Sequence, residues 1–229
     1  MKLLIVEDNL KINRLISMYA EQESHDVKSV YSAEEALSYL GENSVDLVVL
    51  DLMLKEMDGE TFIEEIRKTS NVYIIVVSAK INVDSRVNAL GMGADDYMQK
   101  PLSMEELMLK IKNLEPRLKS MEKKDSFSSF NGGNLIINKL NGHLSVHGED
   151  VKLTQNEWRI LVYLMENKGR TLSRDQILDH CINESDAYDR VVDVYVKNIR
   201  QKLRDSKKPW AFIQTVYGGG YRFVGEKDA

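Results

Sequence analysis

The chain has 229 residues, 43% of them hydrophobic and 29% charged, which is typical of one or two globular domains. Its apolar runs are only about as long as strands, which excludes a membrane-spanning helix, and its start lacks the small-residue cleavage site of a signal peptide, so we expect a cytoplasmic protein. The net charge of −5 combines an acidic first half with a basic segment at 190–208, so the two halves are expected to have different partners.

The first half alternates apolar runs with helical patterns. Short apolar runs occur at 3–6, 27–30, 47–50, 72–77 and 97–98. Helical patterns follow them at Leu10–Gln22, Ala33–Leu40, Gly59–Lys68, Val83–Leu90 and Ser103–Lys119. This alternation predicts an α/β domain over residues 1–119, with a five-stranded, doubly wound, flavodoxin-like sheet of strand order 2-1-3-4-5.

A polar segment without periodicity, residues 120–128, predicts a linker. Residues 129–226 then predict an α+β domain. Turn signals between short apolar stretches indicate a small antiparallel sheet, three helices follow, and the Gly-rich turn near the end indicates a hairpin. Cys181, the single cysteine, cannot form an internal disulfide and is expected to be a small buried hydrophobe.

Acidic residues follow strands that are expected to be neighbours in the first sheet. Glu7 and Asp8 follow the first strand, and Asp51 follows the third. The carboxyl ends of parallel strands share one edge, so these carboxylates should converge, and their repulsion calls for a cation such as Mg²⁺. Asp51 is then a candidate nucleophile that forms an aspartyl phosphate, with Ser78 and Lys100 as candidate contacts of the phosphoryl group.

Several segments carry a resemblance to a known family. VEDN at 6–9, VVLDLM at 48–53, Ser78-Ala79 and ADDYMQKP at 94–101 resemble response-regulator receiver domains. Both halves together resemble the winged-helix subfamily often called OmpR/PhoB. The resemblance implies a receiver domain that accepts phosphate from a sensor histidine kinase and assists its own phosphorylation and dephosphorylation without being an enzyme. It also implies a winged helix-turn-helix domain that binds promoter DNA and acts on the transcription machinery.

The resemblance also implies roles for individual residues. The implied Mg²⁺ ligands are Asp8, Asp51 and the Met53 carbonyl, with Glu7 helping through water. The implied phosphoryl contacts and aromatic switch are Ser78, Lys100 and Tyr97. Relatives often have proline at the position of Lys55 and phenylalanine at that of Leu102, and both positions flank the site without donating ligands. We expect these departures to tune turnover.

In this subfamily, the face made by the fourth helix, fifth strand and fifth helix pairs with its own copy. The matching positions pair Arg86 with Glu106, Asp96 with Lys110 and Asp95 with Arg117, each across a two-fold axis. Phosphorylation is therefore expected to favour a homodimer. The alternative is an ordinary solvated helix face.

The basic segment contains the candidate recognition helix. Val192, Val196, Ile199 and Leu203 follow a 4-3-4 spacing and predict the buried stripe. The face predicted to meet DNA carries Arg190, Val191, Val194, Tyr195, Lys197, Asn198 and Lys202. The hairpin is the expected wing, where Thr215 touches phosphate and Tyr217 stands where relatives often have a cation. The alternative is a solvated cationic surface.

Two other functions stay open from the sequence. One is a Mg²⁺-dependent phosphohydrolase with Asp51 as nucleophile, although such enzymes commonly have a second aspartate where this chain has Met53. The other is DNA binding that does not depend on phosphate. The complete set of acidic-site residues favours the phosphorylated regulator over both.

Overall fold

The computed structural model describes residues 1–80, 83–120, 127–139, 142–182 and 189–228. The chain divides into two compact units, Met1–Leu118 and Lys119–Ala229. Most of the predicted linker, residues 121–126, lies outside the described residues, and Phe127 already begins a strand. In the described part of the chain, no helix combines the length and apolar character needed to cross a membrane.

The first unit is a parallel five-stranded sheet with the order β2-β1-β3-β4-β5, as the sequence predicts. Its elements are β1 Lys2–Val6, α1 Leu10–Gln22, β2 Asp26–Val30, α2 Ala33–Glu42, β3 Leu47–Asp51, α3 Gly59–Arg67, β4 Tyr73–Ser78, α4 Val83–Met92, β5 Asp96–Gln99 and α5 Met104–Ser120.

Apolar continuity explains the central strands, since β3 and β4 are buried at every position. The helices bury one stripe each; in α3 that stripe is Phe62, Ile63 and Ile66. Full burial of one such side chain contributes about 1.5–3 kcal/mol. The start of α3 is set by Asp58, whose side chain accepts a hydrogen bond from the Thr61 amide at 2.8 Å.

Gly59, the first residue of α3, holds the loop after β3 close to the strand end. A Cβ at this position would lie 2.6 Å from the Asp51 carbonyl oxygen and 2.7 Å from the Leu52 Cα. The Gly59 amide donates to the Leu52 carbonyl at 3.1 Å. Only glycine allows this approach, which fixes the backbone on which Asp51 is carried.

The second unit contains a four-stranded antiparallel sheet, three helices and a hairpin, again as predicted. Its elements are β6 Phe127–Phe130, β7 Leu135–Asn138, β8 His143–Val146, β9 Glu149–Asp150, α6 Gln155–Glu166, α7 Arg174–Cys181, α8 Asp189–Lys202, β10 Ile213–Val216 and β11 Gly220–Phe223. Capping boxes at Thr154 with Glu157 and at Ser173 with Gln176 start α6 and α7. Cys181 is buried, and burial raises the pKa of its thiol to about 12.

The β10–β11 hairpin is pinned to the segment between α6 and α7. The Tyr221 amide donates to the Leu172 carbonyl at 2.9 Å, and the Leu172 amide donates back to the Tyr221 carbonyl at 2.8 Å. Gly220 makes this possible because its φ is +116° and a Cβ there would lie 2.0 Å from the Leu172 carbonyl oxygen. The hairpin therefore has a fixed base against the helices.

Candidate functional site

Three carboxylates converge at the carboxyl edge of the first sheet. Glu7, Asp8 and Asp51 each offer an oxygen within 4.8 Å of the others. They meet because β1 pairs directly with β3, in the register Val6 with Leu50. Glu7 and Asp51 are buried, whereas Asp8 is partly open to solvent. The amide of Met53, two residues after Asp51 in the loop that follows β3, donates to Asp51 Oδ1 at 2.9 Å.

Lys100 brings a cation into this cluster. Its ammonium donates to Glu7 Oε2 and to Asp51 Oδ2, both at 2.7 Å. Burial by itself would lower the pKa of Lys100, but the hydrogen bonds and charges of Asp51 and Glu7 outweigh it, so that pKa is raised. Burial raises the pKa of Glu7, with Lys100 opposing the rise.

The donor set fits a hard divalent cation. Lys100 compensates Glu7 and Asp51, but the nearest cation described for Asp8 is Lys55, whose ammonium is 3.5 Å away on a side chain that is 85% exposed. An ion pair as exposed as this one contributes little to the stability of the fold. The cluster thus has more carboxylate charge than buried cation, with all ligands being oxygens, as Mg²⁺ prefers.

Ser78 and Tyr97 lie on β4 and β5, the two strands that follow β3 in the sheet order. Ser78 is fully buried at the end of β4, where its carbonyl accepts from the Lys100 amide at 2.8 Å and its hydroxyl from the Lys80 amide at 3.2 Å. Tyr97 is buried too, and its hydroxyl donates to the Lys80 carbonyl at 2.8 Å. Both residues therefore contact the loop that leaves β4.

The charged residues of α4, β5 and α5 do not all lie on a free surface. Asp95 is buried and accepts from Arg67 Nη2 at 2.8 Å and from the Ile74 amide at 2.9 Å. The prediction that Asp95 pairs across a dimer is therefore wrong, because its carboxylate is fully buried inside the domain with Oδ2 bonded to Arg67 and to the Ile74 amide. Asp96 and Lys110 pair with each other within the chain at 3.0 Å, and their predicted pairing across a two-fold axis stays a prediction.

The pKa of the Asp96 carboxyl in that pair is raised above its ordinary value. Burial raises its pKa although Lys110 and Arg86 act in the opposite direction. Glu106 is exposed and Arg86 half-buried, so the predicted Arg86–Glu106 pair stays a prediction. The side chain of Arg117 lies outside the described part of the structure.

In the second unit, α8 buries the predicted stripe of Val192, Val196, Ile199 and Leu203. Two residues assigned to its DNA face are wrong, because Val191 and Tyr195 are 0% and 1% exposed. The Tyr195 hydroxyl accepts from the Asn156 side chain at 3.0 Å. The apolar stripe is wider than a 4-3-4 spacing because α8 packs against both α6 and α7.

The outer side of α8 keeps part of the predicted set. Lys197 is exposed, and Val194 and Asn198 are half-buried. Lys202 is used inside the domain, where its ammonium meets the buried carboxylate of Glu157 at 2.6 Å. Since 35% of the Lys202 side chain is still exposed, its predicted contact with DNA stays a prediction. The side chain of Arg190 is not among those that the structure describes, so its predicted DNA contact stays a prediction.

Arg200, for which no role is predicted from the sequence, makes contacts between α8 and β10. Its guanidinium donates to the Ile213 carbonyl at 2.7 Å and to the Thr215 hydroxyl at 2.8 Å. It also lies 3.9 Å from the centre of the Trp210 ring. Arg200 thus ties α8 to the β10–β11 hairpin. An arginine beside the apolar stripe, followed by a tryptophan before the hairpin, was the available signal.

Comparison with known proteins agrees with this architecture. Residues 3–112 match the response regulator receiver domain, and residues 148–223 match the C-terminal domain of transcriptional regulatory proteins. The chain is 35% identical over 232 residues to the transcriptional regulatory protein BaeR of Escherichia coli, covering 100% of this chain and 94% of BaeR. It is 34% identical over 221 residues to the response regulator ArlR of Staphylococcus aureus, with 96% and 98% covered.

A solved structure is similar to this chain over almost its whole length. A mutant of RitR has a TM-score of 0.80 at 25% identity, with 97% of this chain and 98% of RitR covered. The chain is therefore a two-component response regulator with a receiver domain and a DNA-binding domain. The pairing of these two domains makes it a transcription regulator of the OmpR/PhoB type.

Proposed function

We propose that Asp51 accepts a phosphoryl group from a sensor histidine kinase in a Mg²⁺-dependent reaction, and that phosphorylation favours a homodimer that binds promoter DNA. The convergence of Asp51 with Glu7, Asp8 and Lys100 supports this most directly. A cytoplasmic location and contact with the transcription machinery stay predictions.

The chain's own residues supply most of the transfer chemistry. A carboxylate oxygen of Asp51 attacks phosphorus, the bond from phosphorus to the kinase histidine nitrogen breaks, and that nitrogen keeps the electron pair and takes a proton. The Lys100 ammonium, already 2.7 Å from Asp51, donates to the incoming phosphoryl oxygens. The Ser78 hydroxyl adds a neutral hydrogen bond. Asp8, Asp51 and the Met53 carbonyl would hold Mg²⁺, with Glu7 helping through water, and the bound ion would add positive charge near the phosphoryl oxygens.

Phosphohydrolase activity has less support. Met53 stands two residues after the nucleophile, where a second carboxylate would act as acid and base, and a thioether cannot transfer a proton. Of the similar proteins, BaeR is a transcriptional regulatory protein and ArlR is a response regulator.

Mapping the phosphorylated residue tests the acidic site. With acetyl phosphate and Mg²⁺, we expect one acid-labile, hydroxylamine-sensitive adduct at Asp51, detected by mass spectrometry. Asp51→Asn should abolish it, whereas Asp46→Asn, another aspartate near β3, should label normally. Excess EDTA should prevent labelling. An undiminished adduct in Asp51→Asn, or full labelling in EDTA, would contradict the proposal.

Dimerisation can be tested at Glu106, which is exposed in the first turn of α5. Glu106→Lys should reverse its attraction to Arg86 of a second copy and reduce the dimer fraction of the phosphorylated protein in sedimentation. Glu105→Lys is the control, since it makes the same charge change one position away. Arg86→Glu combined with Glu106→Lys should restore the dimer. Equal effects of both single changes would reject this face.

Base recognition can be tested at Asn198. Its side chain carries the acceptor and donor that suit an adenine edge, so Asn198→Ala should cost roughly 1–3 kcal/mol on a selected duplex and little on a scrambled one. Gln201→Ala, which removes a carboxamide from the exposed Gln201 of the same helix, is the control. Lys197→Ala should weaken binding to both duplexes alike. Equal loss on both duplexes in Asn198→Ala would make Asn198 a positioning residue.

A further inference from the structure

The tip of the wing carries an exposed aromatic ring with a lysine against it. Tyr217 is 83% exposed, the highest value among the large hydrophobic side chains exposed in the described residues. The Lys208 ammonium donates to the Tyr217 hydroxyl at 3.1 Å and lies 5.3 Å from the centre of its ring. The two residues are nine positions apart and come from different segments.

A tight turn points Tyr217 outward. The Gly219 amide donates to the Val216 carbonyl at 2.9 Å, which closes a four-residue turn with Tyr217 at its second position. Gly218, at the third position, has a φ of +71°, as a type II turn requires. The turn therefore presents the ring to solvent instead of packing it on the hairpin.

Lys208 is held near that ring by its own loop. The buried carboxylate of Asp205 accepts from the amides of Ala211, Phe212 and Ile213, at 2.6, 3.0 and 2.9 Å. These bonds draw the two ends of the loop between α8 and β10 together. Lys208 consequently lies in a loop that is closed at its base, while its side chain stays exposed.

The wing and the recognition helix form one connected surface. Arg200 joins α8 to β10, as described above. A second link is made by Asp193 of α8, whose Oδ1 accepts from Arg174 Nε at 2.7 Å and from the Tyr221 hydroxyl at 2.6 Å. The position of the wing tip relative to α8 is therefore set by bonded contacts.

The loop after Asp205 and the hairpin carry positive charge with no acidic residue among them. From 206 to 223, which covers the loop and hairpin, there are three basic residues, Lys207, Lys208 and Arg222, and no acidic one. Arg222 donates to the Gln214 side chain at 2.7 Å. Lys208 is thus a cation at the tip whose described partner, a neutral phenol, leaves its charge intact.

We propose that Lys208, positioned by Tyr217, contacts a DNA phosphate and supplies positive charge at the tip of the wing. The cation reaches the tip from the loop before the hairpin, with the Tyr217 ring and hydroxyl as its support. This inference rests on the proposed DNA binding by α8 and adds a contact that α8 does not make.

The test is binding of the intact chain to a random-sequence duplex across a salt series. One lost phosphate contact should reduce the slope of log affinity against log salt by about 0.9 and weaken binding roughly tenfold near 0.1 M salt. We expect this for Lys208→Ala on random and selected duplexes alike. Lys207→Ala is the matched control, because Lys207 is an exposed neighbour in the same loop, and should keep the wild-type slope.

Three further variants separate a positioning role of Tyr217 from a direct one. Tyr217→Ala should weaken binding, and adding it to Lys208→Ala should cause no further loss, because Tyr217 acts through Lys208. Tyr217→Arg placed on Lys208→Ala should restore the slope by returning a cation to the tip. A wild-type slope in Lys208→Ala, or additive losses in the double variant, would overturn the inference.

The outcome is distinguishable from a failure of the proposed function. If the wild-type protein binds no duplex, DNA binding itself has failed. If it binds and loses affinity in Lys197→Ala but not in Lys208→Ala, only the wing inference is rejected.

Discussion

Lys100→Met is expected to lower the free energy of unfolding by roughly 3 kcal/mol near pH 8 in EDTA. The ammonium of Lys100 lies 2.7 Å from both Glu7 and Asp51, and these carboxylates have side chains only 3% and 5% exposed. Removing the cation leaves buried carboxylates facing each other, and breaking a buried pair from one side is costly because the remaining charge stays desolvated. Urea denaturation of variant and wild type measures the loss.

The loss should depend on pH in a defined direction. Burial already raises the pKa of Glu7, and without Lys100 that pKa rises further. A carboxyl whose pKa is raised in the folded state stabilises the fold below its unfolded pKa, and this contribution is lost as pH rises through the folded value. The destabilisation by Lys100→Met should therefore be smaller near pH 5 than near pH 8. Adding Mg²⁺ should recover part of it.

Lys55→Met provides the control for this prediction. Lys55 also faces the cluster, 3.5 Å from Asp8, but its side chain is 85% exposed. Its removal should change the unfolding free energy by less than about 1 kcal/mol. A similar loss in both variants, or one independent of pH, would show that Lys100 stabilises by packing rather than by charge.

Asp95→Ala is expected to lower the free energy of unfolding by roughly 3–5 kcal/mol. The Asp95 carboxylate accepts from Arg67 at 2.8 Å, and the two side chains are 0% and 9% exposed. Arg67 also donates to the carbonyls of Gly93 and Val72, at 2.9 and 2.7 Å. Loss of the carboxylate would leave a guanidinium buried without its counter-ion between α3 and the sheet.

The control uses an ion pair of the same helix. Glu65 and Lys68 pair at the surface of the protein, with side chains 43% and 64% exposed, so Glu65→Ala should cost less than about 1 kcal/mol. Replacing both partners, with Asp95→Leu and Arg67→Met, should recover much of the loss because no charge then remains buried. If Asp95→Ala instead unfolds like the wild type and only weakens a phosphorylated dimer, the internal role is wrong.

The architecture and the convergence of the acidic residues could be predicted from the sequence alone. The runs that form β3 and β4 are apolar up to their last residue, so these buried parallel strands are recognisable from the sequence alone. Local capping residues such as Thr154 and Ser173 start their helices. The sequence predicts that Glu7, Asp8 and Asp51 lie close together, because the carboxyl ends of parallel strands meet at one edge of the sheet. The order of the residues along the chain and the order of the strands in the sheet are enough to predict that these carboxylates converge.

Which side chains face inward, and which partners the polar ones take, depends on how the elements pack together. Val191 and Tyr195 border the stripe of α8, and a period of 3.6 residues does not say whether a second packed helix will cover such positions. Asp95 meets Arg67, 28 positions away, and Lys208 meets Tyr217 across a loop closed by Asp205. Periodicity describes one element at a time, whereas a charge finds its partner through distances between elements that only the packed chain sets.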